Sequence, residues 1–158
     1  EQKGYTYGAF SGYQWRPLPG PFGASAQVRT NVTDSSLAIF FQEFERIRTS
    51  PVSQAELDRG RAYLTLGALG DFETTGDVAA QLAMLDEFGL PLETIPADLA
   101  AISKLTAADV QRAARTYLDP SKLTVVVVGD IATIRPGLEA LGLGPVEVRD
   151  YNGKEVSP

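Results

Sequence analysis

Strand-like segments at the two ends of the sequence, with a long helical stretch between them, predict an α+β fold: an antiparallel-rich sheet carrying a layer of helices on one face. Two observations support this class. Residues 5–15 and 22–30 at one end and 122–128 at the other combine aromatic, β-branched and small residues, as strands do. Between them, apolar residues recur at helical spacing and are punctuated by Ser, Thr and Asp at cap positions. The chain has 158 residues, with 44% hydrophobic and 22% charged residues, which suits one globular domain. The domain is expected over 1–150, with a tail over 151–158.

Each element has a local reason. Tyr5, Tyr7, Phe10, Tyr13 and Trp15 fill the first strand, and Arg16 to Pro21, with three prolines, breaks it. Phe22, Ala24, Ala26 and Val28 alternate with smaller or polar residues, so the next segment reads as a half-buried antiparallel partner. Asp34 is a good N-cap for a helix through Leu37, Phe40, Phe41, Phe44 and Ile47, which ends at Ser50-Pro51. Ser53 and Glu56 form a capping box for a second helix, expected to turn Leu57, Tyr63, Leu64, Leu66 and Leu69 toward a core.

Thr74 or Thr75 opens a third helix through Val78, Leu82, Leu85 and Phe88, closed by Gly89. Residues 91–105 hold a helical stretch interrupted by Pro96, and Thr106 caps a further helix over 107–118. The run 122–128 is apolar at every position but Lys122 and Thr124, which predicts a strand buried on both faces. A weak helix over 134–141, a short strand over 146–149 and a frayed end complete the reading.

Composition removes several chemistries. With no cysteine and no histidine, this chain supplies no disulfide, thiolate nucleophile, Ser-His-Asp triad or imidazole-ligated metal. A net charge of −6 gives no basic footprint, so nucleic acid is not an expected partner. No apolar run approaches the roughly 20 residues of a membrane-spanning helix. A cysteine-free chain suits cytosol, periplasm and medium equally. The first residue is Glu1 rather than Met, so a processed chain or a piece of a longer one is expected.

Most candidate motifs have plain readings. The run Val125 to Asp130 carries one glycine, too few for a dinucleotide loop. Asn31-Val32-Thr33 matches a glycosylation acceptor but reads as a loop before a helix. Asp71, Glu73 and Asp77, like Asp86 and Glu87, lack calcium-loop spacing and suit helix ends. The aromatic density of the first strand suits core packing, with a ligand-facing edge as the other reading.

At Gly4-Tyr5-Thr6-Tyr7-Gly8-Ala9, following Glu1-Gln2-Lys3, the sequence resembles the C-terminal domain of the pitrilysin-type (M16) zinc metallopeptidases. Those proteins carry Leu-Arg-Glu-x-x-Gly-(Leu/Tyr)-x-Tyr followed by small residues. The likeness continues in order through Ser53-Gln54-Ala55-Glu56-Leu57, Phe72-Glu73-Thr74, Gly89-Leu90-Pro91, the stretch Leu105 to Ala114, and Tyr117-Leu118-Asp119-Pro120 through Val128-Gly129-Asp130. Each fragment alone is a weak signal; their joint order is specific.

The resemblance implies a substrate-binding, non-zinc domain of a metalloendopeptidase built as two homologous halves around a closed chamber. It implies no metal in this chain, with zinc held by a His-x-x-Glu-His helix of a complementary domain or partner subunit, in a homo- or hetero-dimer. By motif, Tyr7 corresponds to the tyrosine of an Arg/Tyr pair that binds peptide substrate, with Tyr5 and Gly8 beside it in the substrate-binding segment. The arginine of the pair, and the family domain's first strand and helix, would lie before Glu1. A catalytically inactive assembly subunit of the same fold is the alternative, and a stand-alone ligand-binding domain a weaker one. Resemblance to bacterial members favours the periplasm.

Overall fold

The structure is a computed structural model that describes residues 3–14, 16 and 18–156. Its elements run β1 (Ala9–Tyr13), β2 (Phe22–Ala26), α1 (Thr33–Thr49), α2 (Gln54–Gly70), α3 (Thr75–Glu87), α4 (Thr94–Lys104), α5 (Ala107–Tyr117) and α6 (Ile131–Ala140), with short 3-10 turns at Thr30–Val32 and Pro120–Lys122. This is the α+β class, with a two-stranded antiparallel sheet and six helices among the described residues. None of those helices is long and apolar enough to cross a membrane.

The chain forms two compact units. One comprises Glu1–Tyr13, Phe22–Glu43 and Lys122–Pro158; the other comprises Gln14–Pro21 and Phe44–Ser121.

In the first unit, β1 pairs antiparallel with β2, with Ala9 opposite Ala26, Phe10 opposite Ser25 and Tyr13 opposite Phe22. The Tyr13 and Phe22 rings meet at 5.1 Å with a 52° tilt, a favourable cross-strand contact. Both strands are shorter than expected. Residues 3–8 turn before β1, and residues 30–32 coil into the 3-10 turn that leads into α1. Trp15 lies outside the described residues. Asp34 is not the N-cap: α1 starts at Thr33, whose hydroxyl donates to the Thr30 carbonyl at 2.9 Å, placing Asp34 in the first turn. There its carboxylate suits the positive end of the helix and accepts from the Ser35 amide at 2.6 Å. Helix α6 starts earlier than expected because Asp130 caps it, accepting from the Ala132 amide and, at 2.6 Å, from the Thr133 hydroxyl. Gly137 of α6 comes so near Asp34 that a Cβ there would lie 3.0 Å from the aspartate side chain. Among the described residues of this unit, Ile134 is the buried apolar one.

Two expected strands of this unit are absent. Residues 123–128 make no ladder, and Val126 and Val128 are 81% and 96% exposed instead of buried on both faces. A strand forms only against a partner, and no described segment offers one. Residues 146–149 form a single bridge, Arg149 to Glu155, rather than a strand. The segment after it, expected to fray, instead closes a turn: the Asp150 carboxylate accepts the amides of Asn152 and Lys154 at 2.9 Å, and the Val156 amide donates to Val148.

The second unit is ordered by its helix ends. Ser53 and Glu56 make the capping box that the sequence predicts, with Ser53 N–H donating to Glu56 at 2.8 Å and Glu56 N–H to Ser53 Oγ at 3.2 Å. Thr74 with Asp77 and Thr106 with Asp109 repeat it on α3 and α5. Gly89, in the left-handed region at φ 62°, follows α3 as a C-terminal glycine should. Pro96 does not interrupt α4, because it is the third helical residue and its missing N–H would have had no intrahelical acceptor.

Packing of α2 departs from expectation. Leu57 is buried and Arg61, Thr65 and Ala68 are half-buried, at helical spacing on one face. Tyr63, Leu64, Leu66 and Leu69 are exposed, as are Val78 and Leu82 of α3. Arg61, on the inward face, donates its guanidinium to the Leu105 carbonyl at the end of α4. Leu85 of α3 and Ala114 of α5 are also buried.

Two outcomes follow from the caps. Thr106→Ala should cost about 1 kcal/mol and lower Tm by about 2–4 °C, whereas Thr106→Ser should restore it; an unchanged melt would show that the box is dispensable. The Thr106 hydroxyl and amide, with Arg112 adding, hold the Asp109 carboxyl down at about 2, against 3.8 for an ordinary aspartate. Its contribution is therefore complete above pH 3.8 and lost as pH falls toward 2. Urea midpoints for Asp109→Asn should be flatter than for the parent protein across that window, and parallel curves would refute the assignment.

Candidate functional site

The segment that the sequence singles out precedes β1, and local hydrogen bonds fix its path. Thr6 Oγ1 donates to the Gly8 carbonyl at 2.7 Å and accepts from the Gly8 amide at 3.1 Å. One side chain thus satisfies both polar groups of Gly8 in a Ser/Thr-type turn, with Tyr7 at its apex. Tyr7 consequently projects into solvent, 105% exposed. Among the described residues no hydrogen-bond partner of its hydroxyl is found.

Tyr5 is half-buried, with Lys3 Nζ 6.0 Å from its ring centroid, at the outer limit of a cation–π contact. Gly8 has a steric role. A Cβ there would lie 3.1 Å from Cζ of Phe10, so glycine lets the Phe10 ring fold back over the turn. The three sequence-predicted site residues, Tyr5, Tyr7 and Gly8, therefore stand together in one short turn. Phe10 and Tyr13 of the first strand are not core: Phe10 is 74% and Tyr13 60% exposed. The physical reason is the two-residue period of a sheet that has two strands among the described residues, which sends alternate side chains to opposite faces.

Thr6 is the site residue that the sequence reading did not single out. Its signal was present as a hydroxyl two residues before a glycine, a spacing that favours side chain-to-backbone bonding.

Acidic groups elsewhere serve structure. Asp77 and Asp109 complete capping boxes, and Glu56 does so while pairing with Arg46 at 3.0 Å. The Ser53 amide, then its hydroxyl, and after them Arg46 hold the Glu56 carboxyl below the usual range. Among the described residues no three carboxylates stand together as a group that could hold a metal ion.

Residues 1–64 match a protein-family profile described as the peptidase M16 inactive domain. Among solved structures, the crystal structure of a peptidase M16 inactive domain from Pseudomonas fluorescens is similar, with a TM-score of 0.64 and 25% sequence identity. That match covers 75% of this chain and 28% of the other, so the chain spans less than a third of the solved relative's length. No curated protein matches the sequence.

If Thr6 sets the turn, Thr6→Val should free the Gly8 amide while changing global stability by less than about 1 kcal/mol. Amide exchange at Gly8 is the readout, and unchanged protection there would show that the turn does not depend on the hydroxyl.

Proposed function

We propose that the chain is a member of the peptidase M16 inactive-domain family and serves as the substrate-binding, non-zinc domain of a zinc-dependent metalloendopeptidase. It works against a complementary zinc-bearing domain, in the same parent chain or in a partner subunit, and the two enclose a peptide. The observation that carries the reading is Tyr7, fully exposed at the apex of a turn that Thr6 pins. An exposed tyrosine held by a rigid local turn suits contact with something outside the chain more than a packing role.

Chemically, Tyr7 presents a neutral O–H donor on a pre-set backbone. It donates to the carbonyl oxygen of the bound peptide and holds that oxygen more strongly as negative charge develops on it. Tyr5 supplies an apolar ring beside it, and Gly8 lets the Phe10 ring fold back over the turn. The hairpin that follows has an outer edge on each strand, where an extended peptide adds by main-chain hydrogen bonds. Zinc belongs to the complementary domain, and no step on it is assigned to this chain.

Tyr7→Phe in the complete enzyme should lower peptide turnover on the order of 10- to 100-fold, at or below the loss of an oxyanion donor. Zinc content should not change. Turnover equal to the parent's would remove the role and favour the inactive assembly subunit instead.

A further inference from the structure

The turn near the end of the first unit holds a reactive pair that the candidate site does not use. The sequence has two asparagines, Asn31 and Asn152, and Gly153 follows the second. Asn152 and Gly153 sit at the tip of a short hairpin. There the Asp150 amide donates to the Lys154 carbonyl and the Val156 amide to the Val148 carbonyl, each at 2.9 Å. Asn152 is exposed, and its side-chain amide makes no hydrogen bond with any described residue. Gly153 lies in the left-handed region at φ 79°, with nothing within 4 Å of where its Cβ would be. No side chain therefore shields the Gly153 nitrogen from the Asn152 amide carbon.

Asn31 is the contrast. It is exposed too, but Val32 follows it, and branching at the valine Cβ crowds the nitrogen that would have to attack. That nitrogen is also held in the 3-10 turn Thr30–Val32, donating to the Arg29 carbonyl at 3.0 Å.

We propose that Asn152 is a site of spontaneous deamidation, becoming aspartate or isoaspartate with water as the only co-reactant, and that Asp150 sets its pace. The Gly153 nitrogen loses its proton to solvent and attacks the Asn152 side-chain amide carbon. A C–N bond forms, the bond to Nδ2 breaks, and the departing nitrogen takes a proton from water and leaves as ammonia. The product is a cyclic imide. Water then opens it at either carbonyl. Opening at Cγ gives aspartate with the backbone intact, and opening at the main-chain carbonyl gives isoaspartate, with the chain rerouted through the side chain. Nothing is oxidised or reduced.

Asp150 restrains the first step from both sides. Its carboxylate accepts the Asn152 and Lys154 amides at 2.9 Å, and its carbonyl accepts the Gly153 amide itself at 2.9 Å. Attack requires these bonds to open locally. The product then acts on the turn. Either acid adds a negative charge beside Asp150, and isoaspartate also lengthens the backbone by a carbon, so one carboxylate no longer meets both amides.

Peptide mapping by mass spectrometry of the intact protein, aged at neutral pH and physiological temperature, tests this with Asn31 as the internal control. Isoaspartate is read on the same sample by an isoaspartyl methyltransferase with labelled S-adenosylmethionine. Asn152 should convert on the order of 10-fold or more faster than Asn31, and Gly153→Ala should slow it by a similar factor. Asp150→Ala should speed it about 3-fold or more, as the loss of a hydrogen bond's restraint would. Amide exchange at Lys154 should rise with the converted fraction. Asn152 converting no faster than Asn31 overturns the site. A rate untouched by Asp150→Ala overturns the restraint, and full protection of Lys154 in converted protein overturns the opening of the turn.

Discussion

Peptide groups at helix ends are the constraint on which the second unit depends. Leu57, Leu85 and Ala114 are its buried apolar residues among those described, too few to dictate how its helices are placed. Local bonds do that instead. At N-termini the recurring solution is Ser or Thr followed three residues later by an acid, on α2, α3 and α5. At C-termini it is arginine. Arg48, near the end of α1, donates to the Leu118 carbonyl after α5, while Arg115 of α5 donates back to the Arg48 carbonyl at 2.8 Å. Arg61 does the same for Leu105 after α4. Guanidinium groups reach orphan carbonyls across helices, which joins elements as well as capping them.

This division explains which parts of the fold were legible in the sequence. Capping is a local property, so Ser53-Glu56 and Thr106 announce their helices without knowledge of the rest of the chain. The β1–β2 pair was legible for a similar reason, as neighbours in sequence separated by a proline-rich break. Burial is not local. The leucines of α2 suggest an inward face, yet the face with Arg61, Thr65 and Ala68 is the one turned inward, and Arg61 reaches the Leu105 carbonyl from it. Pro96 suggested a break because its position relative to the helix start was misjudged; a few residues later it would have been one. The valine run is the sharpest case, since its composition describes an environment that these residues do not provide.

The candidate site divides along the same line. Tyr7 was legible through its motif, and Tyr5 and Gly8 with it, because the motif is contiguous. Thr6 was not, because its importance lies in two hydrogen bonds to Gly8 rather than in a pattern. The first strand's aromatics were ambiguous between core and contact surface, and the exposure of Phe10 and Tyr13 decides against core in this chain. Exposed aromatics before and along a hairpin, open valines at 126 and 128 and outward leucines on α2 share one physical meaning. Each is apolar surface that water covers poorly and another polypeptide would cover well.

The central claim is that this domain does its work against a zinc-bearing counterpart. The most direct measurement is native mass spectrometry of the protein purified from its source, with zinc quantified on the same sample and the mass repeated under denaturing conditions. The account predicts a native particle heavier than 17.0 kDa that contains this sequence and binds zinc. A lone, zinc-free 17.0 kDa species under both conditions would contradict it.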